Sequence, residues 1–168
     1  MLRIEARIVD ITTLGTDAIV NAANTALAPG GGVCGAIHRA AGPELADACA
    51  RVAPCPTGEA RLTPGFRLPA RFVIHAVGPA WQGGDAGEPA LLASAYRQSL
   101  RIAREQGLAS IAFPALSTGI YGYPLADATG IAVATVRAEA EIPGSLRHVV
   151  FACFNSDALA AYRRAGVG

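Results

Sequence analysis

The stretch that decides the reading of this chain is "NAANTALAPGGGVCGAIHRAAG", Asn21 to Gly42. It continues the short apolar run "DAIV" and sets a polar, glycine-rich turn between a strand and a helix-like segment. Such a loop delivers backbone N–H groups to a helix N-terminus, forming an anion nest that needs no side-chain cation. Gly30, Gly32 and Gly35 also satisfy G-x-G-x-x-G. A dinucleotide fingerprint would follow its strand at once, with an acidic strand end about 20 residues later. Here "TALAPG" intervenes after Asn24, and the downstream region reads "RVAPCPTG". The glycines therefore read as a phosphate turn of another kind, or as a tight turn alone.

Outward from this loop, strands and helices alternate. "LRIEARIVDI" has the period-two pattern of a half-buried strand, and "RFVIHAVG", "ASIAFPAL" and "RHVVFACF" read as buried strands. "GEARLTPGFRLP" is a weak strand or a loop. "GAIHRAAGPELADACARV" reads as helix broken near Gly42-Pro43. "ALLASAYRQSLRIAREQG" is an amphipathic helix closed by Gly107, after the surface loop "WQGGDAGEP". "LADATGIAVATVRAEAE" is a further helix containing Gly130, and "SDALAAYRRAG" a last one capped by Ser156 or Asp157. Apolar strands alternating with helices predict an α/β fold, a three-layer α/β/α sandwich over residues 1–168 as a single domain. Ligands of such sheets lie beyond the carboxyl ends of the strands. A second loop, "STGIYG", follows "IAFPAL" and is equally glycine-rich. Two facing loops of this type suit a diphosphate.

Composition narrows the function. The chain is 52% hydrophobic and 16% charged, with a net charge of +1. No global field recruits nucleic acid or an anionic membrane, and the arginines are scattered. It has no lysine, which excludes a Schiff base and a Walker-type phosphate lysine. Cys34, Cys49, Cys55 and Cys153 form no zinc spacing, and no metal or cofactor is expected. Reduced thiols, a charged "MLRIEARIVD" start and the lack of a membrane-length apolar run lead us to expect a cytoplasmic protein.

The pieces "VDIT", "DAIVNAAN", "GGGVCGAIHRAAG", "LPARFVIHAVGP" and "AFPALSTGIYGYP" resemble, in order and spacing, the macrodomain family, in its MacroD-like branch. The resemblance spans about residues 4 to 155. It implies a mixed, mostly parallel six-stranded sheet and a cleft for ADP-ribose. It implies hydrolysis of O-acetyl-ADP-ribose or of ADP-ribosyl esters on the acidic side chains of mono-ADP-ribosylated proteins. By the same resemblance, Asp10 accepts the adenine amino group, Ile11 lies beside the ring and Phe154 packs on it. Asn24 faces the distal ribose. Gly31, Gly32 and Val33 line one side of the ribose and diphosphate, and Ser117, Thr118, Gly119, Ile120 and Tyr121 line the other. Asn21 reads as structural, Tyr123 as packing, His75 as a satisfied core residue and His148 as a strand-start residue.

Two positions depart from the pattern. Val9 stands where the family often has glycine. Cys34 stands where "GGGVDG" carries the aspartate regarded as activating water or positioning the ribose. A thiol is no equivalent base. Cys34 can be packing in a weaker hydrolase, where Asn24, Tyr121 and the ligand's phosphate orient water. Alternatively catalysis is lost and the chain is a non-catalytic ADP-ribose-binding module. In a third reading Cys34 is itself a base or nucleophile, activated by the helix N-terminus or by His38 one turn on. Phosphatase action on ADP-ribose 1″-phosphate is a further alternative.

Overall fold

The computed structural model describes residues 2–168. Among them are six strands: β1 (Arg3–Ile8), β2 (Ala18–Ala22), β3 (Ala60–Pro64), β4 (Phe72–Ala76), β5 (Ser110–Phe113) and β6 (His148–Cys153). The helices are α1 (Gly32–Ala41), α2 (Glu44–Val52), α3 (Glu88–Glu105), α4 (Leu125–Glu139) and α5 (Ser156–Arg164). The strands form one sheet in the order β1-β6-β5-β2-β4-β3. All neighbours are parallel except β3, which runs antiparallel to β4.

Side-chain alternation explains the layers. In β5 and β6, Ile111, Phe113, Val149 and Phe151 point to one face, while Ala112, Val150 and Ala152 point to the other. Both faces are buried, which is why these strands read as continuous apolar runs. The first face packs on α3, α4 and α5 through Tyr96, Leu100, Val136 and Tyr162. Phe151 and Tyr162 stack there with centroids 4.6 Å apart. The second face packs on α1 and α2 through Ile37, Leu45 and Cys49. This is the expected α/β/α sandwich around a mixed sheet.

Three local details refine the sequence reading. "GEARLTPGFRLP" does contain a strand, β3, an edge element whose pattern is diluted by Pro64 and its flanking glycines. The cap of α5 is Asn155, not Ser156 or Asp157: its side chain accepts from Ala158 N at 3.0 Å. The break between α1 and α2 falls at Gly42, whose φ of 92° is a left-handed value that side chains avoid. Because β1, β6, β5, β2 and β4 are all parallel, their following loops emerge at one edge of the sheet. Every candidate ligand residue from the sequence lies on one of those loops or in the first turn of α1.

Candidate functional site

The outer end of the cleft is built where β1 and β6 finish side by side. Ile8 pairs with Cys153, and Val9 N donates to Cys153 O at 3.2 Å, so Asp10 and Phe154 leave adjacent strand ends. Asp10 opens a single 3-10 turn, Ile11–Thr13. Its Oδ1 accepts from Thr12 N at 3.0 Å and Thr12 Oγ1 at 2.7 Å, while Oδ2 is engaged by no other described residue. Ile11 is buried beneath it. Phe154 is 94% exposed and takes no part in the core, although it follows an apolar strand.

The inner part is formed by the two glycine loops. They meet directly: a Cβ at Gly31 would lie 3.7 Å from Ile120 Cδ1. Gly31 caps α1 without a side-chain hydrogen bond, and the N–H groups of Gly31, Gly32 and Val33 have no acceptor among the described residues. The N–H groups of Gly119, Ile120 and Tyr121 are equally free. Unpaired amides of this kind, at a helix start and a facing turn, are donors set out for an anion. Thr118 Oγ1 is committed to Ala115 O at 2.8 Å, so Thr118 contributes turn geometry more than a free hydroxyl. Ser117 holds a φ of 69° and buries an unpartnered Oγ against Gly78, where any Cβ would collide with it. The ends of β4 and β5 are thus interlocked.

Asn24 is placed beside the glycines, but its amide clips its own loop: Nδ2 donates to Ala28 O at 2.9 Å and Oδ1 accepts from Ala28 N at 3.0 Å. One amide hydrogen and one lone pair remain for a ligand. Tyr121 is half-buried, and its carbonyl accepts from Trp81 N at 2.8 Å.

Cys34, in the first turn of α1, is only 5% exposed. Its sulfur accepts from Asn21 Nδ2 at 3.7 Å and lies 3.8 Å from Ala28 O. Asn21 Nδ2 also reaches His75 Nδ1 at 3.0 Å, so His75 carries its proton on Nε2, 2.9 Å from Thr63 Oγ1. Asn21 is therefore structural as expected, its Nδ2 joining side chains of β4 and α1. Burial holds His75 far below the usual histidine range, at about 3, with His38 adding to the effect. Burial likewise pushes the Cys49 thiol up to about 11, with Cys34 contributing. No hydrogen bond joins Cys34 to His38, whose buried Nε2 has no partner.

Sequence reasoning found the surface loop between β4 and α3 but missed the residue that shapes it. Glu88 is 1% exposed, and its carboxylate accepts from the backbone N–H groups of Gln82 (2.8 Å), Gly84 (2.9 Å) and Ala86 (2.6 Å). Desolvation opposes its ionisation, yet these N–H donors prevail and hold the carboxyl at about 2. The available signal was an acidic residue opening a helix after a glycine-rich loop. Trp81 packs against Tyr123 with centroids 4.6 Å apart, fixing the same loop to the β5 side.

With this geometry in place, comparison with known proteins is direct. The Macro domain family model matches residues 20–132. A Macro domain-containing protein of Chlorobaculum tepidum is 56% identical over 156 residues, covering 93% of this chain and 91% of its own. The O-acetyl-ADP-ribose deacetylase of Enterobacter cloacae is 52% identical, over 92% of this chain and 88% of its own. The Trypanosoma brucei macrodomain in complex with ADP-ribose superposes with a TM-score of 0.90 at 47% identity, over 96% of this chain and 68% of that one. Family model, sequence identity and superposition agree, and the chain belongs to the macrodomain family.

Proposed function

We propose that the cleft binds ADP-ribose and that the protein hydrolyses an ester on the distal ribose, as in O-acetyl-ADP-ribose or an ADP-ribosylated acidic side chain. The carrying observation is the pair of free backbone N–H sets, Gly31–Val33 and Gly119–Tyr121, on two touching loops. They suit a diphosphate without any cation. The free Oδ2 of Asp10 suits an exocyclic amine, and the exposed Phe154 ring suits an adenine face. The named deacetylase at 52% identity supports the ester as substrate.

Asn24 uses its remaining amide hydrogen to orient a ribose hydroxyl, and Tyr121 walls the sugar. Cys34 packs. Water, oriented by Asn24 and a diphosphate oxygen, bonds through its oxygen to the acyl carbon. The bond from that carbon to the ribose oxygen then breaks. The diphosphate oxygen relays the water's proton to the ribose oxygen, and ADP-ribose and a carboxylic acid result.

A second reading, a non-catalytic ADP-ribose-binding module, is favoured by one observation: position 34 offers a buried thiol turned to Asn21 and Ala28. Calorimetry with ADP-ribose followed by turnover of O-acetyl-ADP-ribose separates the two. Binding with release of acetate supports the hydrolase; tight binding without product leaves the binding module. No heat with millimolar ADP-ribose removes both.

A further inference from the structure

Tyr121, next to Ile120 on the second glycine loop, lines a half-open cavity of about 270 Å³ between the β4–α3 loop and the turn before β3. Pro79, Ala80, Ala86 and Leu91 give it an apolar side, while Thr57, Gln82 and neighbouring polar atoms make the larger part of its surface polar. At about 30 Å³ per water in the liquid, this is room for roughly nine water-sized units. An acetyl group would leave most of it unfilled.

The wall is fixed. Glu88 clips the loop at Gln82, Gly84 and Ala86, Trp81 N donates to Tyr121 O at 2.8 Å, and Gly58 N donates to Val77 O at 2.7 Å. The cavity therefore exists before any ligand arrives, and filling it requires no reordering of the loop. It opens beside the residue that walls the distal ribose, where the acyl part of an ester would project.

We infer that this cavity receives the acyl group of the substrate, and that the protein prefers neutral acyl chains longer than acetyl. The inference rests on the ADP-ribose reading of the cleft. The chemistry of the step is unchanged: water adds at the acyl carbon, the ribose oxygen leaves protonated, and a longer carboxylic acid is released. Charge sets the limit on the chain. The Glu88 carboxylate borders the cavity and is satisfied by its three N–H donors, so it offers nothing to a second carboxylate and repels it. A succinyl chain is excluded where a butyryl chain is welcome.

The test uses calorimetry with ADP-ribose and with analogues carrying acetamide, butyramide or mono-succinamide groups on the distal ribose, the last ending in a free carboxylate, so that binding is read without turnover. Each fully buried methylene is worth about fourfold in affinity, and against the apolar side of a half-open cavity butyramide should bind roughly 4- to 15-fold more tightly than acetamide. Succinamide should bind more weakly than butyramide. Ala80→Phe, at an exposed position on the rim, should erase the butyramide advantage. Equal affinities for acetamide and butyramide, or tightest binding of succinamide, would overturn the subsite while leaving ADP-ribose binding intact. An absence of binding by ADP-ribose itself would instead bring down the reading of the cleft and the subsite with it.

Discussion

The side chain at position 34 sits between the cleft and the core. Its contacts with Asn21 and Ala28 show what a small residue does there, and they also show what a carboxylate would find: one amide donor ready to hold it and one carbonyl to avoid. We expect Cys34→Asp to raise turnover of O-acetyl-ADP-ribose by about 10- to 100-fold, up to the lower end of what a positioned general base contributes. Unchanged or lower turnover would show that Cys34 is no weakened substitute. Behind it, His75 gives a pH signature. The unfolded chain takes up the histidine proton below about pH 6.5, whereas the folded protein resists until about 3. Stability from this group is complete above 6.5 and is lost as pH falls, by roughly 3 kcal/mol by about pH 4.5. Urea titrations at the two pH values should show that loss, and His75→Gln should shrink it. Thr63→Val removes the acceptor of Nε2–H and should cost about 1–3 kcal/mol at neutral pH.

Among the elements, the β4–α3 loop depends most on one residue. The depressed Glu88 carboxyl stabilises the fold above the ordinary carboxyl range, near 4.5, and that contribution disappears as pH drops through about 2. In Glu88→Gln, amide exchange at Gln82, Gly84 and Ala86 should accelerate more than at any strand amide, and the acid dependence between about 4.5 and 2 should flatten. Exchange unchanged at those three amides would refute the clip. The same loop marks where the sequence becomes hard to read. Central strands β4, β5 and β6 were plain because both faces are buried, leaving uninterrupted apolar runs. The facing glycine loops were plain because composition alone marks them. Glu88, the Ser117–Gly78 interlock and the Asn21–His75–Thr63 chain were not. Each joins residues far apart in sequence, or uses a carboxylate for backbone geometry, and no local period records such a partnership. The cap of α5 slipped by one residue because Asn155, Ser156 and Asp157 are all good caps.

For the molecule as a whole, the proposed ligand contacts come from amides, one carboxylate and aromatic rings rather than from cations. Affinity for ADP-ribose should therefore change less than about threefold between 50 and 500 mM salt, since dipoles at close range are little screened. A steep fall with salt would mean that an arginine holds the diphosphate. The sheet topology carries a practical corollary. The turn at Glu141–Gly144, exposed and preceding β6, lies at the end of the strands opposite to the cleft. A fluorophore or tether attached there would report on occupancy, or hold the molecule to a surface, with the mouth facing outward and unobstructed.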